Sequence, residues 1–118
     1  MDFKHYIGID ISKNTFDLAL IKENPSERMT TAKFPNTYKG IVALEEFIHK
    51  QKLIKQDILF CMEHTGLYCR TLASYLAENN YAVWIEMPVQ IIRSLGVQRG
   101  KNDKLDAQRI ATYAFTFR

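Results

Sequence analysis

The chain has 118 residues, of which 47% are hydrophobic and 25% charged, with 5 glycines and 3 prolines, and this composition excludes disordered, collagen-like and fibrous proteins. No apolar run approaches the roughly 18 residues of a membrane span, and the polar first residues lack the order of a signal peptide. We therefore expect a soluble, cytoplasmic protein with no membrane partner, folded as a single domain over residues 1–118.

The charge distribution and the number of cysteines further restrict the class of protein to which the chain can belong. The formal net charge is +3, but residues 1–88 hold 10 basic and 11 acidic side chains, whereas residues 89–118 hold 6 and 2. The basic C-terminal quarter is where nucleic-acid contacts are expected, although the total surplus is too small to prove such a partner. Cys61 and Cys69 are too few for a disulfide framework, and we interpret both as core residues.

The first half of the chain predicts three antiparallel strands and a helix. Residues 6–10 are an apolar run that ends in an acid, and residues 15–21 alternate after a turn-like Ser-Lys-Asn segment. Residues 29–34 favour a third strand. Apolar residues then recur at helical spacing over residues 38–50, with Thr37 as the N-cap.

The second half predicts two parallel strands and further helices. The elements are a buried strand over 58–62, a helix over 67–78 capped by Thr65, a strand over 81–86, a short helix from Pro88, and a last helix from Asp103. The last helix has no stop signal, so we expect the chain to be cut from a longer protein.

This element order is that of the ribonuclease H-like fold, a mixed five-stranded sheet with three antiparallel strands, then parallel strands, and helices on its faces. Crossovers between parallel strands are right-handed, so the first and fourth strands should be neighbours with their carboxyl ends at the same edge. Asp10 and Glu63 each end an apolar strand. We therefore expect them side by side, although a single acid at a strand end is by itself unremarkable.

Asp103 and Asp106 are three residues apart at the start of the last helix and so share one face. Taken alone, they also fit a capped helix N-terminus. Capping does not explain the basic loop before them, nor the small Ala107, Ala111 and Ala114, which indicate a helix packed closely on the sheet. Four converging carboxylates would repel one another unless a cation neutralised them, and their hard oxygens favour Mg²⁺ or Mn²⁺. Such ions assist displacement at phosphorus.

Three motifs in this order resemble one family. YIGIDISK at residues 6–13, MEHTG at 62–66 and KNDKLDAQRIA at 101–111 are similar to the N-terminal RuvC-like domain of the DEDD transposases, the insertion-sequence 110 family. Matched residue by residue, the resemblance implies that the family's catalytic, metal-binding tetrad falls on Asp10, Glu63, Asp103 and Asp106. It also implies a DNA recombinase with DNA and a structured element-encoded RNA as partners, and a homo-oligomeric full-length protein.

The resemblance further implies a second domain with a nucleophilic serine. The serines of this chain lie in the wrong part of the sequence to be that nucleophile; they are Ser12, Ser26, Ser74 and Ser94. We therefore expect residues 1–118 alone to be incomplete for strand exchange.

Basic side chains near the acidic motifs are candidate nucleic-acid contacts: Lys13, Arg93, Arg99, Lys101, Lys104 and Arg109. Each fits a solvated surface charge equally well. His64, next to Glu63, is a candidate for moving a proton or supporting the metal, but a single histidine is more often structural.

Two other functions stay open. The IGIDIS segment also resembles the phosphate-binding hairpin of actin-like kinases, but its turn has no glycine and 118 residues leave no second lobe. The third interpretation is a non-catalytic nucleic-acid-binding or oligomerisation module, whose acids only cap helices and end strands. Nucleotide binding would identify the kinase, and cooperative metal binding would identify the tetrad.

Overall fold

The computed structural model describes residues 3–23, 28–64, 66–87 and 103–118. Its elements are β1 His5–Ile11, β2 Thr15–Ile21, β3 Thr30–Pro35, α1 Tyr38–Lys50, a 3-10 turn Lys55–Asp57, β4 Ile58–Glu63, α2 Leu67–Glu78, β5 Ala82–Glu86 and α3 Asp103–Phe117. The predicted elements that fall in these ranges are confirmed, with ends that differ by about one residue. The short helix predicted from Pro88 lies outside the described residues.

The strands form one sheet in the order β3-β2-β1-β4-β5. The first three strands are antiparallel neighbours, whereas β4 pairs in parallel with both β1 and β5. The predicted ribonuclease H-like arrangement is therefore confirmed, including the contact between the first and fourth strands.

Local hydrogen bonds explain where several elements begin and end. The Thr37 side chain accepts a hydrogen bond from the Gly40 amide at 3.3 Å, which confirms it as the N-cap of α1. The N-cap of α2 is Gly66, and Thr65, predicted for this role, is not among the described residues. After α2, Asn80 adopts a left-handed backbone with φ of 67°, a conformation that asparagine tolerates.

Helices cover both faces of the sheet. On one face, α1 and α2 pack on large apolar side chains of the strands, among them Phe16, Leu18 and Phe60. On the other face, α3 packs on a second buried cluster that includes Ala19 and Cys61. Both cysteines are buried, as predicted. Across the described ranges, no helix combines the length and apolar character that crossing a membrane requires.

Helix α3 approaches β1 unusually closely at Gly8. A Cβ atom placed on Gly8 would lie 2.3 Å from the Ala111 amide nitrogen and 2.4 Å from the Ala107 carbonyl oxygen. Only glycine in the strand and small residues on the helix allow this approach. The close packing predicted from the alanine spacing is confirmed.

Candidate functional site

Strand register places Asp10 beside Glu63. Ile9 pairs with Met62 in the parallel ladder, and Asp10 and Glu63 are the next residues along the two strands. Because side chains alternate along a strand, Asp10 lies on the same face as Gly8, the face that α3 covers. Each carboxylate residue is only 5% exposed. Two buried acids therefore meet at the carboxyl end of the parallel strands.

Helix α3 brings a third acid to this end of the sheet. It runs opposite to β1, because Phe115 contacts Tyr6 with ring centroids 5.4 Å apart, while Ala107 and Ala111 cover Gly8. Two strand residues and four helical residues each advance about 6 to 7 Å, so the first turns of α3 lie at the level of Asp10. Asp106, which is 4% exposed, belongs to these turns.

The described side chains supply the donor chemistry of a metal site but not a completed one. Asp10, Glu63 and Asp106 offer hard carboxylate oxygens, which suit Mg²⁺ or Mn²⁺. Within residues 3–23, 28–64, 66–87 and 103–118, no three His, Cys, Asp or Glu side chains form a group that could hold a metal ion. Asp103 begins α3, but its side chain is not among those described. Convergence of all four carboxylates therefore stays a prediction.

Two further acids lie in register with the predicted pair. Asp17 on β2 is the Cα partner of Asp10, and Glu86 on β5 is the Cα partner of Glu63. We call Asp17, Asp10, Glu63 and Glu86 the acidic row, since they cross four neighbouring strands on the α3 face. Lys33 on β3, the remaining strand of the sheet, is the Cα partner of Asp17 and extends this row to the β3 edge.

The two outer members of the acidic row, Asp17 and Glu86, are held by contacts with neighbouring residues. The Lys33 ammonium lies 3.4 Å from Asp17 Oδ2, and the Tyr113 hydroxyl donates a hydrogen bond of 3.0 Å to Glu86 Oε2. The other Glu86 oxygen accepts from the Met87 amide at 2.9 Å. The outer acids are therefore tied to β3 on one side and to α3 and the end of β5 on the other.

The acidic row makes its surroundings electrostatically negative. Burial, followed by the charges of Glu86 and Glu63, raises the pKa of the Cys61 thiol to about 12. Cys61 precedes Glu63 by two residues and shares its face of the sheet. A neutral thiol is thus favoured at this position, and a cation would be favoured nearby.

The predicted basic contacts fall into three groups. Lys13 is exposed in the turn between β1 and β2, at the same end of the sheet as Asp10. Arg109 places Nη1 3.3 Å from Asp106 Oδ1, so its guanidinium contacts an acid of the site. The remaining predicted contacts have no described side chains; they are Arg93, Arg99, Lys101 and Lys104.

His64 is exposed, and its backbone amide donates a hydrogen bond of 2.9 Å to the Glu86 carbonyl. This contact continues the pairing between the ends of β4 and β5. The described contacts assign a backbone role to His64, and its predicted role in moving a proton or supporting a metal stays a prediction.

Sequence reasoning missed Asp17, although a signal was present. A hairpin that turns at Ser12, Lys13 and Asn14 places the residue opposite Asp10 close to position 17. Asp17 is also out of place in a buried strand, because aspartate disfavours strands and burial costs an unpaired charge. Combining register with this anomaly would have found it.

Comparison with known sequences finds one family and relatives of the chain. A sequence profile for the DEDD transposases of the insertion-sequence 110 type, described as "Transposase", matches residues 7–118. The pilin gene-inverting proteins of Moraxella lacunata and Moraxella bovis are each 36% identical over 113 residues. The alignment covers 93% of this chain and 34% of each relative, so the chain spans about a third of their length.

Solved structures agree on the fold. RuvC from T. thermophilus in complex with a Holliday junction substrate aligns with a TM-score of 0.62 and 11% identity, covering 92% of this chain and 91% of that one. Another Thermus thermophilus RuvC structure gives a TM-score of 0.59 at 12% identity and covers 92% of both chains. At this level of identity the match concerns the fold alone.

Proposed function

Because the chain belongs to the DEDD transposase family of the insertion-sequence 110 type, we propose that it supplies the metal-binding half of a DNA recombinase site. In this proposal Asp10, Glu63, Asp103 and Asp106 hold Mg²⁺ or Mn²⁺ and are the catalytic carboxylates. A divalent ion bound there would stabilise negative charge on the phosphate oxygens during strand cleavage and transfer.

The observation that carries the proposal is the placement of buried acids at one end of the sheet. Asp10 and Glu63 follow a ladder pair on adjacent parallel strands, and the direction of α3 brings Asp106 to their level. Buried carboxylates of like charge destabilise a fold unless a cation or a hydrogen bond offsets the repulsion. A divalent cation would offset it here and bring the carboxylates closer together.

DNA is the proposed macromolecular partner, at the carboxyl end of the sheet. Lys13 is exposed at that end, where it is free to approach a phosphate backbone. The two Moraxella relatives are named for pilin gene inversion, and one RuvC neighbour was solved in complex with a Holliday junction substrate. We extend the proposal to a structured RNA partner and a homo-oligomeric whole protein, as the sequence resemblance implies.

Thermal unfolding in the presence of Mn²⁺ tests the metal site directly. The melting temperature of the wild-type chain should rise with Mn²⁺ concentration, because ligand binding to the folded state stabilises it. Asp10→Asn should remove this response while unfolding at the same or a higher temperature without metal. Asp57→Asn is the matched control, since Asp57 lies in the 3-10 turn before β4, at the other end of that strand.

The possible outcomes separate the open functions. Loss of the Mn²⁺ response in Asp10→Asn but not in Asp57→Asn supports the tetrad. A wild-type chain that shows no Mn²⁺ response would instead favour the non-catalytic module. If a nucleoside triphosphate raises the melting temperature and the Mn²⁺ response does not depend on Asp10, the kinase interpretation is favoured.

DNA binding and chemistry are tested separately. Residues 1–118 should bind duplex DNA with an affinity that falls steeply with salt, by a slope of about −0.9 per phosphate contact. With element-end DNA, cognate RNA and Mg²⁺, they should form no recombinant product, because the proposed serine nucleophile belongs to another domain.

In the whole protein, Asp10→Asn should abolish recombination in a plasmid assay. Normal recombination by that variant would refute the metal role.

A further inference from the structure

Asp17 is the member of the acidic row that lies in the middle of a buried strand. It lies on β2 between the apolar Phe16 and Leu18, is 5% exposed, and points to the α3 face as Ala19 does. Aspartate is among the residues least suited to a strand, and a buried carboxylate is costly. A threonine or valine would stabilise this strand better. A residue that both strand propensity and burial disfavour is a candidate for a functional role.

Two charged neighbours act on Asp17 from opposite sides. Asp10 is its Cα partner on β1, and Lys33 is its Cα partner on β3. Directly opposed residues on an antiparallel pair have Cβ atoms about 5 Å apart, and like charges at that separation repel. Lys33 attracts Asp17, with 3.4 Å between Nζ and Oδ2. Both forces direct the Asp17 carboxylate towards the β3 edge of the sheet.

We propose that Asp17 is a positioning residue for Asp10, and this inference rests on the proposed metal site. Repulsion from Asp17 disfavours Asp10 conformations that turn towards β2. Once a divalent cation offsets the repulsion between Asp10 and Glu63, it therefore favours those that turn towards β4. Lys33 draws the Asp17 carboxylate towards β3 and compensates part of its charge. Asp17 itself is not a member of the proposed tetrad; it fixes the direction in which one member of the tetrad offers its oxygens.

Asp17→Asn is the variant that separates this role from simple packing. The asparagine side chain has the same shape, carries no charge, and can donate a hydrogen bond to Asp10 that draws the carboxylate towards β2. Loss of a residue that orients a metal ligand typically weakens metal affinity by 10- to 100-fold. The Mn²⁺ concentration that gives half of the thermal shift should therefore rise by about tenfold or more.

Lys33→Gln should act in the opposite direction on metal binding. Without the Lys33 charge to offset it, the Asp17 carboxylate repels Asp10 more strongly. The Mn²⁺ midpoint should therefore fall or stay unchanged. The melting temperature without metal should drop, since a buried carboxylate loses its ion-pair partner. Asp17→Asn should leave that temperature unchanged or raise it. Asp57→Asn again serves as the charge-matched control and should change neither quantity.

The outcomes distinguish this inference from the proposed function. If the wild-type chain shows a Mn²⁺ shift and Asp17→Asn has a midpoint within twofold of it, the positioning role is refuted and the tetrad stands. If the wild-type chain shows no shift, both are refuted. Should Asp17→Asn fail to fold, Asp17→Thr replaces it, because threonine suits a strand, and it must give the same rise in midpoint. Equal midpoints in all variants would leave Asp17 as only the ion-pair partner of Lys33.

Discussion

The two faces of the sheet are built from side chains of different size. The face under α1 and α2 holds the largest buried side chains, including Phe16, Leu18 and Phe60. The face under α3 has small residues at its centre, among them Gly8, Ala19 and Cys61, and ends in the acidic row. Burial of large apolar side chains contributes most of the stabilising free energy. The comparison indicates that one face contributes most of the stability of the domain. The other face has smaller side chains, which allow a helix to bring carboxylates close to β1.

The largest expected effect is on the stabilising face. Leu72→Ala removes a fully buried side chain from α2 and should lower the free energy of unfolding by about 3 kcal/mol. Urea denaturation followed by circular dichroism measures this loss. The native fluorescence of Trp84, the single tryptophan, should not change, because its ring contacts Tyr113 of α3 on the opposite face.

The Leu72→Ala variant should also keep the Mn²⁺ midpoint of the wild-type chain. A shift in either the midpoint or the native Trp84 emission would show that the two faces are coupled. The division between a stabilising face and a site face would then be wrong.

The next effect is at the close contact of α3 with β1. Gly8→Ala places a Cβ within 2.4 Å of two backbone atoms of α3, and backbone cannot move aside as a flexible side chain can. The helix must shift, at a cost of about 2 kcal/mol. Trp84 emission should move to longer wavelength, since Trp84 packs on Tyr113 with ring centroids 5.0 Å apart.

Gly8→Ala should also weaken the Mn²⁺ response, because the shift displaces Asp106 relative to Asp10. Unlike Leu72→Ala, it is expected to change Trp84 emission and metal binding together. A normal Mn²⁺ midpoint in a destabilised Gly8→Ala variant would mean that α3 contributes nothing to the site.

The same difference between the faces explains what the sequence could predict. The helices of the α1 and α2 face follow from periodicity, because large apolar residues recur at helical spacing, as Ile41, Leu44 and Ile48 do on α1. On the α3 face the alanine spacing predicted a closely packed helix, but it did not identify Gly8 as the residue that the helix contacts. Register across strands exposed Asp17 and Glu86, which are separated along the chain from the residues they face. The ion pair of Arg109 with Asp106 depends on side-chain conformation, which no sequence pattern specifies.

A smaller effect concerns the polar contacts of the stabilising face. Glu45 on α1 accepts hydrogen bonds from the hydroxyls of Tyr75 on α2 and of Tyr81 before β5. Tyr81→Phe should lower the free energy of unfolding by about 1 kcal/mol at neutral pH. Burial, and then the hydrogen bond to Glu45, raise the pKa of Tyr81 above its usual value of 10.0.

The raised pKa of Tyr81 predicts a pH dependence with a definite sign. The folded state holds the phenolic proton more tightly, so this stabilisation is complete below about pH 10 and is lost as pH rises above it. Tyr81→Phe should therefore lose less stability than the wild-type chain between neutral pH and alkaline pH in urea denaturation. Tyr68→Phe, at an exposed position on α2, is the control and should follow the wild-type curve.

The smallest effect on stability is expected at Arg109. Its replacement should nevertheless change metal binding at the proposed site. The Arg109 side chain is 32% exposed, so solvent screens its pair with Asp106, and Arg109→Gln should lower the free energy of unfolding by less than about 1 kcal/mol. In the proposed site, however, the guanidinium competes with a divalent cation for the same carboxylate. Its removal should lower the Mn²⁺ midpoint in the thermal-shift measurement, whereas the exposed Arg70→Gln on α2, with the same loss of charge, should not. An equal decrease in both variants would assign the effect to net charge rather than to Asp106. A higher midpoint in Arg109→Gln would mean that Arg109 holds Asp106 ready for the metal instead of competing with it.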